Sequence, residues 1–285
     1  MNAEKRIAQL AQMACILEAC APKPGNINRH HDFAGTTLED LLLSSVAIGP
    51  ALERACQACV GQIVLDAVED TRRYVKSNTN LGMILLFAPL AKACSMAAGG
   101  KGIRDSLSAV LNTLTVEDAR LVYAAIRLAQ AGGLGAVPES DVAGEPSITL
   151  LQAMALARER DAVAREYVTD FGITFEIGLP ALRDSESRCG DFAGAIVQAF
   201  LIILSRVPDT LIARKRGSEA ARYVSQLAAG VLARGGMFES EGRAALKEMD
   251  QQLRDPKHTL NPGTTADLTA AAVFLALCEK QNIEI

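Results

Sequence analysis

Four short stretches of this chain combine residue types that can hold and transform a polar ligand. The first, Ala21-Pro22-Lys23-Pro24-Gly25-Asn26-Ile27-Asn28-Arg29-His30-His31-Asp32, lies between two strongly helical segments. Its prolines fix φ and remove amide donors, and Gly25 admits a backbone geometry or ligand approach that a Cβ would block. Lys23, Asn26, Asn28 and Asp32 could then converge on one ligand. The second, Ser77-Asn78-Thr79-Asn80-Leu81-Gly82, offers the carboxamides of Asn78 and Asn80, which both donate and accept and so suit sugar hydroxyls or base edges. The third runs from Pro208 to Gly217 and sets Asp209 beside Arg214, Lys215 and Arg216 within about two helical turns. An acid and several cations at that spacing can bind a divalent cation together with its phosphate ligand. The fourth, Asn261-Pro262-Gly263-Thr264-Thr265-Ala266-Asp267, opens the last apolar segment, where free amides near Gly263 to Thr265 can receive an anion.

Each stretch also has a purely structural reading. Ser, Thr and Asn cap helices, Asp209 can cap a helix whose basic end is solvated, and Thr264 and Asp267 can cap one reciprocally. Recurrence of such polar helix starts along one chain favours a ligand site. Other signals are weaker. Cys56-Gln57-Ala58-Cys59 is an isolated CxxC without a second pair, and His30, His31 and His258 form no HExxH or ExxH pattern. Gly132-Gly133-Leu134-Gly135 lacks the strand-GxGxxG-helix setting, and no GxxxxGK[ST] loop is present. The acids Asp161, Glu166, Asp170, Glu176, Asp184 and Asp191 read mostly as solvated helix faces or caps.

The elements that must position these loops are helical throughout. Apolar residues recur at helical spacing over 3–20, 37–58 (divided near Pro50), 61–75, 83–98, 103–113, 116–131, 148–170, 174–183, 191–207, 218–233, 239–254 and 263–281, with no sustained alternation. Thr36 with Glu39, and Thr115 with Asp118, have cap spacing. Residues 83–98 are apolar on most sides, as in a helix surrounded by protein. The expected fold is all-α: a single domain over 1–285, a bundle of roughly ten to twelve helices with a site built from polar inter-helix loops. The Gly/Pro/acidic stretch 132–147 is a lid or connecting-loop candidate.

Composition agrees. The 285 residues are 49% hydrophobic and 4% aromatic, without Trp, so small aliphatic side chains build the core. A net charge of −4 argues against broad nucleic-acid binding. Seven scattered cysteines read as reduced thiols, and no signal-peptide pattern or long apolar run is evident. A cytoplasmic protein with no membrane partner is expected, with homo-oligomerisation left open.

Taken in order, the Ala21–Gly25, Asn78–Gly82, Pro208–Gly217 and Asn261–Asp267 motifs resemble those of the triphosphoribosyl-dephospho-CoA synthase family over most of the chain. The resemblance implies an all-helical enzyme that uses ATP and 3′-dephospho-CoA, moves the triphosphoribosyl unit to a ribose hydroxyl and releases adenine. Such a reaction needs a positioned hydroxyl nucleophile, stabilised oxocarbenium-like charge, protonation of the departing base and neutralised phosphates.

On that basis Lys23, Arg214 and Arg216 are phosphate-binding candidates, and Asp209 and Asp267 are candidate catalytic acids and Mg²⁺ or water-shell ligands. Asp32 is a candidate acid/base group. Asn26, Asn28, Asn78 and Asn80 would orient sugars or the adenine edge; Gly25, Gly82 and Gly263 would permit close approach, and Thr265 would add to the anion-binding turn. Two motifs depart from the family pattern. Thr79-Asn80-Leu81-Gly82 stands where a Thr-His-Lys-Gly-like sequence is typical, and Asn26-Ile27-Asn28 replaces Leu-Val-Asp. The departures leave room for another acceptor in cofactor biosynthesis, such as a pterin precursor, or for a noncatalytic nucleotide-binding or interaction protein.

Overall fold

The computed structural model describes residues 3–97, 102–130, 144–281 and 283. The 132–147 lid or connector falls largely outside the described residues. Within them lie fifteen α-helices and one π-helical turn, with no sheet and only two isolated bridges, Asn28 with His31 and Phe33 with Thr36. No single helix among the described residues is long and apolar enough to cross a membrane.

Two helices form the axis. α5 (Leu81–Ala97) and α15 (Gly263–Lys280) are buried on nearly all sides, pack on each other, and touch through the tilted rings of Phe87 and Phe274, 5.3 Å apart. Their all-round apolar sequences leave no face for water, so they must sit inside the bundle. α1 (Ala3–Cys20) packs on both, and α11 (Phe192–Arg206) packs on α15 and on α10 (Leu179–Cys189). α4 (Val60–Tyr74) and α7 (Val116–Ala129) lie side by side, close enough that a Cβ on Gly61 would sit 2.7 Å from the Asp118 backbone.

Local signals decide where helices begin. The Thr115–Asp118 capping box forms as its spacing predicts. The second box is shifted by one residue: Thr37 and Asp40, rather than Thr36 and Glu39, exchange hydrogen bonds at the start of α2 (Leu38–Ala47). Short breaks divide the bundle more finely than ten to twelve helices. Pro50 opens a separate α3 (Gly49–Glu53), and Asp161 starts α9 (Ala162–Val168) after α8 (Leu150–Ala157) by accepting from Val163 N–H at 2.9 Å. α6 (Ile103–Asn112), α12 (Thr210–Arg216), α13 (Ser218–Ala233) and α14 (Ser240–Leu253) complete the set.

The turn after α9 is organised by one acid. Asp170 and Phe171 both have positive φ (47° and 57°), an uncommon conformation for residues with a Cβ. Glu166, fully buried, accepts hydrogen bonds from Ile173 N–H (2.9 Å), Thr174 N–H (2.7 Å) and Thr174 Oγ1 (2.5 Å), which ties α9 to the π-helical turn Thr174–Gly178. Burial pushes its carboxyl up to about 7, against the pull of those donors. The folded state therefore binds the extra proton between the ordinary value of 4.5 and about 7, and stability falls as pH rises through that window. Glu166→Gln, which does not titrate, is expected to be less stable and to lack this slope. Urea midpoints measured across the window check this, and a parent-like slope in the variant would refute it.

Candidate functional site

A cavity of about 730 Å³ opens where the four polar loops meet. Lys23 and Asn26 line it from the first loop, Asn78, Thr79, Asn80 and Gly82 from the second, Arg214 and Lys215 from the third, and Asn261, Gly263, Thr264 and Asp267 from the fourth. Its volume lies in the range of small-molecule and cofactor sites.

The first loop is rigid because its polar atoms satisfy one another. Lys23 is only 1% exposed; its Nζ donates to the carbonyls of Glu18 and Ala21 and lies 3.0 Å from Glu18 Oε1. Two hydrogen bonds and one ion pair thus hold the ammonium against the loop and the end of α1. Glu18, also on the cavity wall, has its carboxyl pushed up by burial, with Lys23 pulling the other way. Gly25 has φ +74° and donates its N–H to Asp250 at 2.8 Å. A Cβ there would stand 2.9 Å from the Leu253 Cβ, so the glycine seats the loop on α14 instead of facing the cavity. Asn26 crosses to the fourth loop, Nδ2 donating to Asn261 Oδ1 at 2.6 Å.

Asn28 and Asp32 do not reach the cavity. Buried Asn28 accepts from His30 N–H at 2.9 Å and donates weakly to the Lys23 and Asn26 carbonyls, which makes it the loop's internal brace. Asp32 is exposed and accepts from Leu38 N–H at 2.8 Å, because the unpaired amides at the start of α2 attract a carboxylate.

The second loop meets the fourth at a van der Waals limit. A Cβ built on Gly82 would fall 2.0 Å from Asp267 Oδ2, so the carboxylate lies directly on the glycine backbone. Asn78 accepts from Leu81 N–H at 3.2 Å and starts α5. Buried Asn80 turns its amide toward Ser44 O and Thr71 Oγ1, both at 3.4 Å.

In the third and fourth loops, acid and cation separate into different tasks. Asp209 is 1% exposed and off the cavity: Oδ1 accepts from Ile212 N–H (3.0 Å), and Oδ2 accepts from Thr265 N–H (2.7 Å) and Thr265 Oγ1 (2.8 Å). It caps α12 and fastens it to the start of α15. Thr265 is likewise enclosed by this tie, whereas Gly263 and Thr264 line the cavity. A Cβ on Gly263 would stand 2.6 Å from Leu211 Cδ2. Arg214 reaches across to Asp161, Nη1 to Oδ2 at 2.7 Å, and its buried Nε has no hydrogen-bond partner among the described residues. Lys215 lines the cavity, and its ammonium is held below the usual lysine range by burial. Arg216, at the exposed end of α12, does not line the cavity, because two residues along the helix turn it away from Arg214.

Asp267 makes no hydrogen bond within the described residues. Burial first, then the charges of Glu18, Asp209 and Asp161, push its carboxyl well above the usual range, with Arg214 opposing. No group of three His, Cys, Asp or Glu side chains among the described residues could cage a metal. Magnesium, though, is commonly held by one or two carboxylates plus substrate phosphates. Asp267 fits that attachment and Asp209, its oxygens occupied and enclosed, does not. Cys56 and Cys59 are free and exposed and do not line the cavity.

The sequence reading did not single out several cavity residues. Glu18 is hidden inside the periodicity of α1, although it precedes Lys23 by five residues. Asp161 looks like one more solvated acid, yet its place before Ala162-Val163-Ala164 is an N-cap signal. Arg127, Arg160 and an apolar wall from α7 and α8 complete the lining.

Fold and cavity together define an all-helical protein with a ligand-sized chamber walled by carboxylates, carboxamides and cations. A family model described as CitG, ATP:dephospho-CoA triphosphoribosyl transferase, matches residues 4–284. A Pseudomonas fluorescens Pf-5 protein named "Probable 2-(5''-triphosphoribosyl)-3'-dephosphocoenzyme-A synthase" is 29% identical, over 95% of this chain and 90% of its own length. The Klebsiella pneumoniae 2-(5''-triphosphoribosyl)-3'-dephosphocoenzyme-A synthase is 26% identical, over 96% of each chain. A crystal structure from Archaeoglobus fulgidus, titled as a candidate triphosphoribosyl-dephospho-CoA synthase, aligns with a TM-score of 0.65 and 31% identity over 84% of this chain and 98% of that one. The chain belongs to the ATP:dephospho-CoA triphosphoribosyl transferase family.

Asp209→Asn places an amide N–H₂ against donors of Thr265 or Ile212. It is expected to lower stability by about 2 kcal/mol or more, the scale of hydrogen bonds to a buried charged group. Thr265→Val, which keeps the backbone donor, should cost less. Denaturant titration ranks the two variants, and equal stability of Asp209→Asn and parent would exclude the tie.

Proposed function

We propose that this protein transfers the triphosphoribosyl unit of ATP to a hydroxyl of an acceptor, with dephospho-CoA the first candidate, and releases adenine. The observation that carries the reading is the meeting of all four loops at one cavity, where Arg214 opposes the charge of Asp267, a carboxylate with no hydrogen bond among the described residues, and Lys215 lines the same wall. In the reaction the acceptor oxygen bonds to C1′ of the ATP ribose as the C1′–N9 bond breaks. The hydroxyl proton is lost from the acceptor, and adenine departs with a proton, so charge balances.

Arg214 is fixed by Asp161 and retains an unpartnered Nε, which suits it to a phosphate oxygen in a poorly hydrated setting. Lys215 adds a second positive charge on the same side. Asn26, Asn80 and Asn261 line the cavity, where the amide atoms not used in the Asn26–Asn261 bond or against Ser44 and Thr71 would meet sugar hydroxyls. Asp267 would hold magnesium, which when bound supplies charge against the triphosphate. Gly82 leaves room for that carboxylate, and even alanine there would occupy its position.

The acceptor is the open element of the reading. Asn80 stands where the Thr-His-Lys-Gly-like pattern that the family resemblance implies would put an imidazole, and its amide braces the loop against Ser44 and Thr71. The second loop therefore presents no titratable group to the cavity, which favours an acceptor or a base-handling step different from the family's usual one.

Incubation with ATP, Mg²⁺ and dephospho-CoA is expected to yield adenine and an adduct heavier by the triphosphoribosyl unit, read by mass spectrometry. Adenine release with a pterin precursor but not with dephospho-CoA would transfer the assignment to that acceptor. ATP binding without release in any pairing would favour a noncatalytic role. Asp267→Asn should reduce the adenine-release rate by about 100-fold or more, the usual scale for a group that supports charge stabilisation. Because ionising Asp267 is unfavourable in the folded state, the neutral variant should melt no lower than the parent above the ordinary carboxylate range. An active variant would remove Asp267 from the site.

A further inference from the structure

The cavity has two chemically different walls. One is the polar meeting of loops just described. The other is a carbon surface: Leu150, Ala153, Met154 and Ala157 fall on one face of α8, and Val122 and Ile126 come from α7, which packs on α8. Spacings of three and four residues put these side chains in a continuous strip, and eight residues of α8 extend it over about 12 Å.

Chain continuity orders the two walls. α8 ends at Ala157, Arg160 follows on the cavity lining, and the next residue, Asp161, holds Arg214. Arg160 therefore stands at the junction, with the polar centre on one side and the strip on the other. Its guanidinium is exposed and has no hydrogen-bond or ion-pair partner among the described residues. A molecule seated from centre to strip would meet hydroxyl-binding groups, then an unpaired cation, then an elongated apolar surface.

We propose that α8 is the acceptor's track: Arg160 takes the phosphate next to the reacting sugar, and the strip carries an elongated, weakly polar arm. The assignment rests on the transferase reading above and adds to it the residues, Arg160 and the α8 strip, along which its acceptor would lie. ATP, with its triphosphate against Arg214 and Lys215, lies on the other wall. A compact acceptor would leave the strip uncovered, and apolar cavity surface of this kind normally contacts ligand.

Isothermal calorimetry with dephospho-CoA alone and with Mg-ATP alone tests the track separately from turnover. Arg160→Ala, at an exposed position where folding is not at risk, and Ala153→Leu, which thickens the strip, are compared with the parent. Both are expected to weaken dephospho-CoA binding at least about tenfold while Mg-ATP affinity stays within about twofold. Equal losses for both ligands, unchanged dephospho-CoA affinity, or no dephospho-CoA binding by the parent would overturn the track. If the binding pattern holds and no adenine is released, the transferase reading fails and the track stands.

Discussion

The cavity depends on a carboxylate that does not touch it. Asp209 joins the first turn of α12 to the first turn of α15, and those two helices carry Arg214, Lys215 and Asp267 further along. Three donors from two helices converge on two oxygens in a setting that excludes water, so the carboxylate is stable only while both helices keep their places. Cation and acid on the cavity wall are thereby held in fixed relation. Burial still raises the Asp209 carboxyl above its usual range, which means that its hydrogen bonds offset the loss of water only in part.

Around that tie, the charges are arranged in a chain of unequal partners. Glu18 has Lys23, Asp161 has Arg214, and Asp267 has no ion-pair partner among the described residues. In water the high dielectric weakens such neighbours and salt screens them over about 10 Å; buried in a half-enclosed chamber they are screened much less. The carboxyl of Asp267 consequently bears the sum of three nearby negative charges and the relief of one positive charge. A cation or a proton would ease that imbalance, which gives the chamber a physical reason to take up positive charge along with an anionic ligand.

Much of the fold was legible from apolar spacing, because helices as uniformly apolar as α5 and α15 can only be internal. Loop positions were legible from Pro and Gly, which end helices by removing donors or freeing φ. Individual duties were not. Asp209 meets its partner Thr265 across 56 residues, and the Gly82–Asp267 contact spans the chain; nothing local encodes either. Asn28, Asp32 and Arg216 share the composition of their loops yet face the brace, the α2 cap and solvent, since side-chain direction is set by packing that residue type does not reveal. Glu18 and Arg160 were missed for the converse reason, lying in helical stretches that look ordinary.

Lys23 has a consequence beyond its own loop. Because its ammonium is buried and held by two carbonyls and a carboxylate of the chain that carries it, its charge is delivered as a standing field and not as a movable contact. An arriving anion would find that potential already in place, with no side chain to reorient and no solvent shell to strip from the nitrogen. The work of desolvating this cation is completed during folding, which leaves less reorganisation for the moment of binding.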